Sequence, residues 1–378
     1  MRPTLRIAPL TAIVAAVVAT VAVPPWPLLA AAPQKAPSGK NAPPVVQRPL
    51  AWPQPPDPAR VRYLTAYHGV DDYKVPKKSG WKSLLIGKDD EAPPADMLVK
   101  PYGIAVSGSG RVYVTDTAAR RVFVFDPEAR TVSFLGEKGQ GKLAKPTGVA
   151  IADDGTVFIA DATLNRVFGY GPDGALVMAI GRDGELKGPS GLATDRAGKL
   201  LSVVDSSTHQ IFCYSTADGS SVRTIGKRGS EPGEFNFPTN LFVDAKGQLY
   251  VADTLNFRIQ IFSPGGQFVR AFGVQGDTPG TFNRPKGVAV DSEGHIYVAD
   301  TSFNNFQIFD QDGTVLLSVG SGGREAGEFQ LPAGLYVDGQ DRIYVADQGN
   351  SRVQAFQYLA ARTDKTGSTS DRPVGRWR

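Results

Sequence analysis

A repeated unit of 43 to 49 residues constrains the fold of this chain more than any other feature. Each copy begins with a proline, a residue of any type and, in most copies, a glycine. A short apolar strand, a turn, a second strand that ends in Asp, a loop and a third strand follow. The copies begin at Pro101, Pro146, Pro189, Pro238, Pro285 and Pro332. Periods of about 40–50 residues with several short strands are typical of β-propeller blades. The sequence therefore predicts an all-β ring of six units.

The fifth unit shows how one blade is encoded. Its inner strand is predicted over Gly287–Val290, and a turn with a glycine follows at Ser292–Gly294. Ile296–Ala299 is rich in β-branched and aromatic residues, which favour strands. Phe306–Phe309 and Val315–Val319 supply the third and outer strands. Such strands are apolar on both sides, which indicates that each four-stranded sheet is covered by its neighbours.

The sixth unit lacks an outer strand, and a segment from the start of the chain can replace it. After Gly334–Val337, Ile343–Ala346 and Val353–Phe356 the chain becomes polar. Val61–Tyr67 resembles the outer strand Phe268–Gly273 of the fourth unit. An N-terminal strand is therefore expected to close the last blade, which removes exposed sheet edges. This predicts one six-bladed propeller over residues 59–360, with a short capping helix around Trp81 and Leu84–Ile86.

The terminal segments differ in composition from the repeats. Residues 1–32 carry Arg2 and Arg6, then the apolar run Ala12–Val23 and the small residues Ala30–Ala32. This layout is typical of a signal peptide. Pro33 is a poor residue after a cleavage site. The alternative to a cleaved signal peptide is therefore an uncleaved N-terminal anchor that tethers the protein to a membrane. Both alternatives predict an extracytoplasmic protein, either periplasmic or secreted. Residues 33–58 are predicted to be a proline-rich linker and residues 361–378 a disordered tail.

Charge and cysteine content exclude some classes of function. The net charge is only +4 over 378 residues, which argues against the clustered basic surface of a nucleic-acid-binding protein. Cys213 is the only cysteine, so neither an internal disulfide nor a multi-cysteine metal site can form. We expect a monomer that binds no nucleic acid.

Two segments carry a family resemblance. Tyr250–Gln260 and Tyr344–Gln354 resemble the NHL repeat signature, and the resemblance extends over about 101–357. It implies a six-bladed NHL propeller of the TolB-like type. The proline-rich lead into Arg60, Arg62 and Tyr63 is similar to that of bacterial exported NHL proteins. Some NHL domains bind RNA, but export and the modest charge argue against that here.

An acidic residue and a basic residue recur at fixed places in the repeats. The Asp at the end of the second strand is Asp116, Asp161, Asp205, Asp253, Asp300 and Asp347. The Arg five positions later is Arg121, Arg166, Arg258 and Arg352, and Gln210 and Asn305 replace it in the other two units. A ring of charges for a ligand is one interpretation. Recurrence in nearly every blade favours a structural one, in which Asp accepts backbone amides of its loop and Arg pairs with Asp or with an adjacent blade.

Function is expected in the loops that differ between blades. The loop before the first strand and the loop between the second and third strands emerge on one face, and loops on rigid frames often carry function. The predicted binding residues on this face are Tyr102, Arg120, Asn165, His209, Phe257, Lys286, Phe303, Asn304 and Asn350. Aromatic residues among them favour a protein, peptide or glycan partner.

Enzymatic alternatives were weighed against the residues present. NHL propellers resemble amidating lyases that hold zinc with several histidines, yet His68, His209 and His295 are not expected to converge. Six-bladed lactonases hold calcium with inward oxygen ligands, and here only Asn240 is polar at a comparable place. The sequence therefore predicts no catalytic residue, no metal ligand and no cofactor, and it favours a binding scaffold. The alternative is a metal-dependent lyase or hydrolase with a channel-bound zinc or calcium ion.

Overall fold

The computed structural model describes residues 50–74, 96–181, 184–195 and 199–360. The chain divides into two compact units, 1–48 and 49–378, and all described residues belong to the second. The predicted signal peptide or anchor, most of the linker, the capping helix at Trp81–Ile86 and the tail lie outside the described residues. Within the described ranges, no helix is both long and apolar enough to cross a bilayer.

Six antiparallel sheets, five of them built from four consecutive strands, confirm the predicted propeller. Blade 1 contains β3 (Pro101–Val106), β4 (Val112–Asp116), β5 (Arg121–Asp126) and β6 (Thr131–Leu135). Blade 2 contains β7 (Pro146–Ile151), β8 (Val157–Asp161), β9 (Arg166–Tyr170) and β10 (Leu176–Ile180). Blade 3 contains β11 (Pro189–Thr194), β12 (Leu200–Asp205), β13 (Gln210–Ser215) and β14 (Ser221–Ile225).

The remaining blades follow the same order from the inner to the outer strand. Blade 4 contains β15 (Pro238–Val243), β16 (Leu249–Asp253), β17 (Arg258–Phe262) and β18 (Phe268–Phe272). Blade 5 contains β19 (Pro285–Val290), β20 (Ile296–Asp300), β21 (Asn305–Phe309) and β22 (Val315–Val319). Blade 6 contains β23 (Pro332–Val337), β24 (Arg342–Asp347), β25 (Arg352–Tyr358), β2 (Val61–Tyr67) and β1 (Ala51–Trp52). Short 3₁₀ turns lie at Val70–Tyr73, Thr254–Asn256 and Gln348–Asn350.

The N-terminal strand closes the ring as predicted. β2 runs antiparallel to β25, with Val61 opposite Tyr358 and Tyr67 opposite Val353. One boundary differs from the prediction, because β1 lies within the segment assigned to the linker and pairs with β2 as a fifth strand. The Trp52 ring packs edge-on against Phe356 at 5.7 Å, so burial of this ring accounts for the extra strand.

Glycines let the inner strands approach one another around the central channel. A β-carbon at Gly103 or Gly287 would collide with the inner strand of the next blade. Glycine occupies this third position of the inner strand in five repeats, and Asn240 replaces it in the fourth. Close approach of the backbones is therefore the reason for the recurrent proline-x-glycine pattern.

A belt of hydrogen bonds joins every blade to the next at the start of the inner strands. Each bond runs from a side chain of one blade to a backbone carbonyl of the next. The bonds run from Thr115 to Thr147, Thr147 to Pro189, Ser206 to Pro238, Thr254 to Pro285, Thr301 to Pro332 and Gln348 to Pro101. The last of these crosses the junction between blade 6 and blade 1, so the belt is complete around the ring.

Candidate functional site

The loop face is defined here by two sets of loops, which emerge together because the strands are antiparallel. One set comprises the connecting segments from the outer strand of a blade to the inner strand of the next. The other comprises the 2–3 loops between the second and third strands. The recurrent Asp lies beneath both sets and is fully buried in all six blades.

In four blades the hydrogen bonds that the structure shows to this Asp come from backbone amides. Asp116 accepts Val99 and Lys100 N–H at 2.7 and 2.8 Å, and Ala118 and Ala119 N–H at 3.0 and 2.8 Å. Equivalent bonds surround Asp161, Asp205 and Asp300. A carboxylate with four amide donors needs no further partner. The Asp therefore fastens the connecting segment to the 2–3 loop of its own blade.

In blades 4 and 6 side chains replace some of these amides. Arg258 Nε lies 2.9 Å from Asp253, and Arg352 Nε lies 2.7 Å from Asp347. Both arginines also donate to two carbonyls of the connecting segment. Burial raises the pKa of the Asp253 carboxyl, whereas its hydrogen bonds to Asn236, Asn256 and Arg258 lower that pKa.

The recurrent Arg has a different neighbourhood in blade 1. Arg121 pairs with Glu137 at 2.8 Å and lies 4.6 Å above the Phe134 ring. Arg166 occupies the same place at the start of β9 in blade 2. The geometry in blades 1, 4 and 6 is that of blade architecture rather than of charges turned towards a ligand.

Five of the predicted binding residues share one backbone position. Arg120, Asn165, His209, Phe257 and Asn304 end their 2–3 loops with positive φ between 53° and 59°. In blade 6 that place belongs to Ser351 and not to the predicted Asn350. An L-residue in the left-handed region is uncommon, so the position is set by the loop conformation.

Several of these side chains hold the neighbouring connecting segment. The His209 Nδ1 accepts Phe237 N–H at 3.0 Å, and the Asn304 Oδ1 accepts Leu331 N–H at 2.9 Å. With its side-chain nitrogen facing the carbonyl acceptors around it, Asn165 donates to the Lys187 carbonyl at 3.0 Å. His209 is only 5% exposed, so the prediction that this ring is presented to solvent is wrong. Loop position alone predicts an exposed ring, whereas the bond to the next blade turns the ring inward.

Asn350 also has bonds within the protein. Its amide donates to the Gly323 carbonyl at 2.8 Å and to Asp347. Of the other predicted residues, Arg120 is exposed, whereas Phe257 and Phe303 are half-buried.

Exposed apolar side chains on the loop face were missed by the sequence reasoning. Phe237 is 44% exposed and Leu331 is 50% exposed, each directly before the proline that starts its repeat. Leu255 and Leu164, in the 2–3 loops of blades 4 and 2, are each 42% exposed. The sequence does contain a signal for Phe237 and Leu331. The position just before the repeat proline is basic in other repeats, at Lys100, Lys145 and Arg284, so an apolar residue there is a departure from the pattern.

The central channel contains a cavity of about 110 Å³. It is lined by backbone and apolar side chains of the inner strands, including Leu192, Leu241 and Tyr336. Asn240 reaches it, and its Oδ1 accepts the Leu241 N–H at 2.9 Å. The rings of Phe242 and Tyr336, from blades 4 and 6, lie 6.2 Å apart.

Histidines lie apart from this cavity. His68 bonds with Asp72 at 3.3 Å, and His295 bonds with Asp291 at 2.9 Å. Cys213 is a buried free thiol. Across the four described ranges, no three His, Cys, Asp or Glu side chains come together as metal ligands would.

The mouth of the channel on the loop face carries a lysine and a tyrosine. Lys286 of blade 5 and Tyr102 of blade 1 are both half-buried, and the Lys286 Nζ lies 5.8 Å from the centre of the Tyr102 ring. Burial, together with the charges of Arg284 and Lys100, lowers the pKa of Lys286. Burial raises the pKa of Tyr102 to about 12.

Comparison with known protein families identifies the repeat. The sequence model of the NHL repeat matches residues 235–262, 282–309 and 329–356. Each match begins at a buried phenylalanine of the connecting segment and ends within the third strand. A curated relative, the E3 ubiquitin-protein ligase TRIM32 of Homo sapiens, is 44% identical over 45 residues. That alignment covers 12% of this chain and only 7% of the human protein.

Solved structures share the fold at low sequence identity. Virginiamycin B lyase from Staphylococcus aureus superposes with a TM-score of 0.51 at 15% identity, covering 69% of this chain and 96% of the lyase. A gluconolactonase from Xanthomonas campestris superposes with a TM-score of 0.53 at 18% identity, covering 70% and 89% of the two chains. At such identities the likeness concerns the fold alone. The chain therefore carries NHL repeats in three of its blades, within a six-bladed β-propeller fold that is consistent with an NHL repeat protein.

Proposed function

We propose that this protein is an extracytoplasmic binding scaffold whose loop face holds a protein, peptide or glycan. The observation that carries the proposal is the set of apolar side chains left in solvent on that face. Phe237, Leu255 and Leu331 are 42% to 50% exposed and all belong to blades 4 and 6. Exposed apolar groups rimmed by polar residues are a mark of interaction surfaces.

The loops that present these side chains are held firmly. Leu255 N–H donates to the Asn236 carbonyl at 3.0 Å, so the 2–3 loop of blade 4 is bonded to the connecting segment that carries Phe237. Loops that are already ordered lose little conformational entropy when a partner binds. The equivalent places in blades 1 to 3 are polar or small, although Leu164 in the 2–3 loop of blade 2 is also 42% exposed on this face.

Export is part of the proposal. It is supported by the basic residues Arg2 and Arg6 followed by the apolar run Ala12–Val23. Fractionation of the native host tests it: the protein is expected in the periplasm, in the medium or on the outer side of a membrane. Recovery in the cytosol would contradict it.

A paired set of variants tests the loop face. Leu255→Asp with Leu331→Asp places two charges on the apolar surface, and Val177→Asp with Val269→Asp places two charges on outer strands at 59% and 47% exposure. Ligands are first sought by crosslinking in the cell envelope and on a glycan array, and each is then measured by surface plasmon resonance. We expect the loop-face variant to bind at least about 10-fold more weakly, as for a central apolar contact. Equal losses in both variants, or an undiminished affinity, would reject the proposal.

Metal analysis of the purified protein distinguishes the main alternative. A metal-dependent lyase or hydrolase would carry zinc or calcium near one ion per chain. That result would replace the scaffold proposal, and the channel around Asn240 would be the first place to look for the ion.

A further inference from the structure

Lys286 is a cation held where water reaches it poorly. It occupies the second position of β19, and its Nζ lies 5.8 Å from the centre of the Tyr102 ring of blade 1. Arg284 and Lys100 lie near enough for their charges to act on it. Lys286 therefore lies in a region of positive charge.

No anion of the protein compensates this charge among the residues that the structure describes. Lys286 forms no ion pair there. The contact that the structure shows for its ammonium is a cation–π contact with the face of the Tyr102 ring. Tyr102 cannot act as a counter-ion, because its pKa of about 12 keeps the phenol neutral at physiological pH. Buried charges in proteins are usually paired. An unpaired, half-buried ammonium therefore points to an anion from outside the chain.

The cavity directly below the mouth is lined by backbone of the inner strands and by side chains that are mostly apolar. Gly103, which follows Tyr102, already lines the cavity of about 110 Å³, together with Leu192, Leu241 and Leu335. For scale, an engineered apolar cavity of about 150 Å³ can hold benzene. The cavity therefore has room for a branched group of about four carbons, and a charged group attached to it would remain at the mouth.

We propose that the channel mouth binds a carboxylate that carries a short apolar chain, with the carboxylate at Lys286 and the Tyr102 hydroxyl and the chain in the cavity. The hydroxyl is available, because within the described ranges it has no hydrogen-bond partner. Recognition thus uses one charge, one donor and one apolar cavity. This site is separate from the apolar surface of Phe237, Leu255 and Leu331, so either proposal can fail alone.

A carboxylate with a short apolar chain has two sources, a free acid and the C-terminus of a peptide. Isothermal titration with isovalerate tests the first, and titration with the tripeptide Ala-Ala-Val tests the second. Isovaleramide and the C-terminally amidated tripeptide are the neutral partners of the same shape. We expect at least one acid to bind about 10-fold more tightly than its amide, and the acid that does so identifies the source.

Variants of the full chain assign the binding to the channel mouth. Lys286→Met keeps the length of the side chain and removes the charge, and it is expected to weaken acid binding by about 10-fold or more. Tyr102→Phe keeps the ring and should weaken binding by about 2- to 10-fold. Lys246→Met, at an exposed turn on the opposite face, should leave binding unchanged.

Three results would overturn the proposal. They are equal binding of acid and amide, unchanged binding in Lys286→Met, and the absence of binding by either acid at millimolar concentration. Acetate and inorganic phosphate test the apolar part, since binding of either as tightly as isovalerate would reject a role for the cavity. Thermal unfolding of each variant shows that it is folded, and Lys286→Met should be at least as stable as the wild type because it removes an unpaired charge.

Discussion

The first three blades and the last three blades use different residues at the same two core positions. One position is the third residue of the third strand, and the other is the residue three places before the repeat proline. Blades 1 to 3 have Phe123, Phe168 and Phe212 at the first position and Leu98, Leu143 and Leu186 at the second. Blades 4 to 6 have Gln260, Gln307 and Gln354 at the first and Phe235, Phe282 and Phe329 at the second. An aromatic ring therefore lies in the strand of the early blades and in the connecting segment of the late blades.

The glutamines bind the connecting segments of the late blades. Gln260 accepts Gly233 N–H at 3.0 Å and donates to the Glu234 carbonyl at 2.7 Å and to Asp253 at 3.0 Å. Gln354 makes the equivalent bonds in blade 6. All three glutamines are fully buried.

This difference teaches how a longer connection is stabilised. The segments that lead into blades 4, 5 and 6 each have 12 residues between strands, whereas those that lead into blades 2 and 3 have 10 and 8. Longer segments contain more backbone groups that need partners, and the buried amide supplies them. Two of the longer segments also carry the exposed Phe237 and Leu331, so the polar core of the late blades supports the surface proposed to bind a partner.

The largest expected effect concerns the arginine of the late blades. Arg352→Met leaves the fully buried Asp347 without its cation and removes one donor from each of the Glu325 and Glu328 carbonyls. Breaking a buried pair in this way costs about 3–5 kcal/mol. Arg121→Met in blade 1 breaks an ion pair with the partly exposed Glu137. The loss of that pair should lower the free energy of unfolding by less than about 1 kcal/mol. Urea unfolding of both variants measures the contrast, and similar losses would show that the two halves do not differ here.

A smaller effect is expected at the glutamine. Gln260→Leu has a similar volume but leaves the half-buried Gly233 N–H without this acceptor, so the free energy of unfolding should fall by about 1–3 kcal/mol. Phe212→Leu in blade 3 exchanges one apolar side chain for another and should cost less than about 1.5 kcal/mol. Denaturant unfolding compares the two. Hydrogen exchange at residues 229–235 sharpens the result, since only Gln260→Leu should speed exchange there.

The smallest effect is a pH dependence of opposite sign in blades 3 and 5. The hydrogen bond to Asp291 raises the pKa of His295, so its stabilisation is full below the unfolded pKa of about 6.5 and is lost as pH rises through the folded pKa. Burial lowers the pKa of His209, so the folded state loses stability as pH falls through about 6.5. The difference in unfolding free energy between wild type and variant should therefore change with pH in opposite directions for His295→Gln and His209→Gln between pH 5 and 8. Parallel slopes would mean that the two rings have the same environment.

The sequence predicted the fold well because the signals for it are local and repeated. Proline starts, turn glycines and apolar strands recur six times, and the closing strand Val61–Tyr67 resembles an outer strand. β1 was not predicted, since only three residues lie between Pro49 and Pro53, and the strand that two of them form is supported by packing of Trp52 on Phe356.

The loop face was harder to predict than the blades. Sequence spacing located the 2–3 loops but could not show which side chains turn inward. His209 is turned inward by a bond to the next blade, while Phe237 and Leu331 have φ of 50° and 54° and remain exposed. These outcomes depend on contacts between repeats, which the pattern within one repeat does not contain.

The pairing of β2 with β25 has a consequence for the order of the chain. Leu359 N–H donates to the Arg60 carbonyl at 2.7 Å, so the two ends of the ring of blades lie side by side. A short linker could join them, and the chain could be opened instead at the exposed turn around Gly108, where nothing packs against the backbone. Such a circular permutant should keep all six blades and the bonds between them, because the architecture depends on which strands are neighbours and not on where translation starts.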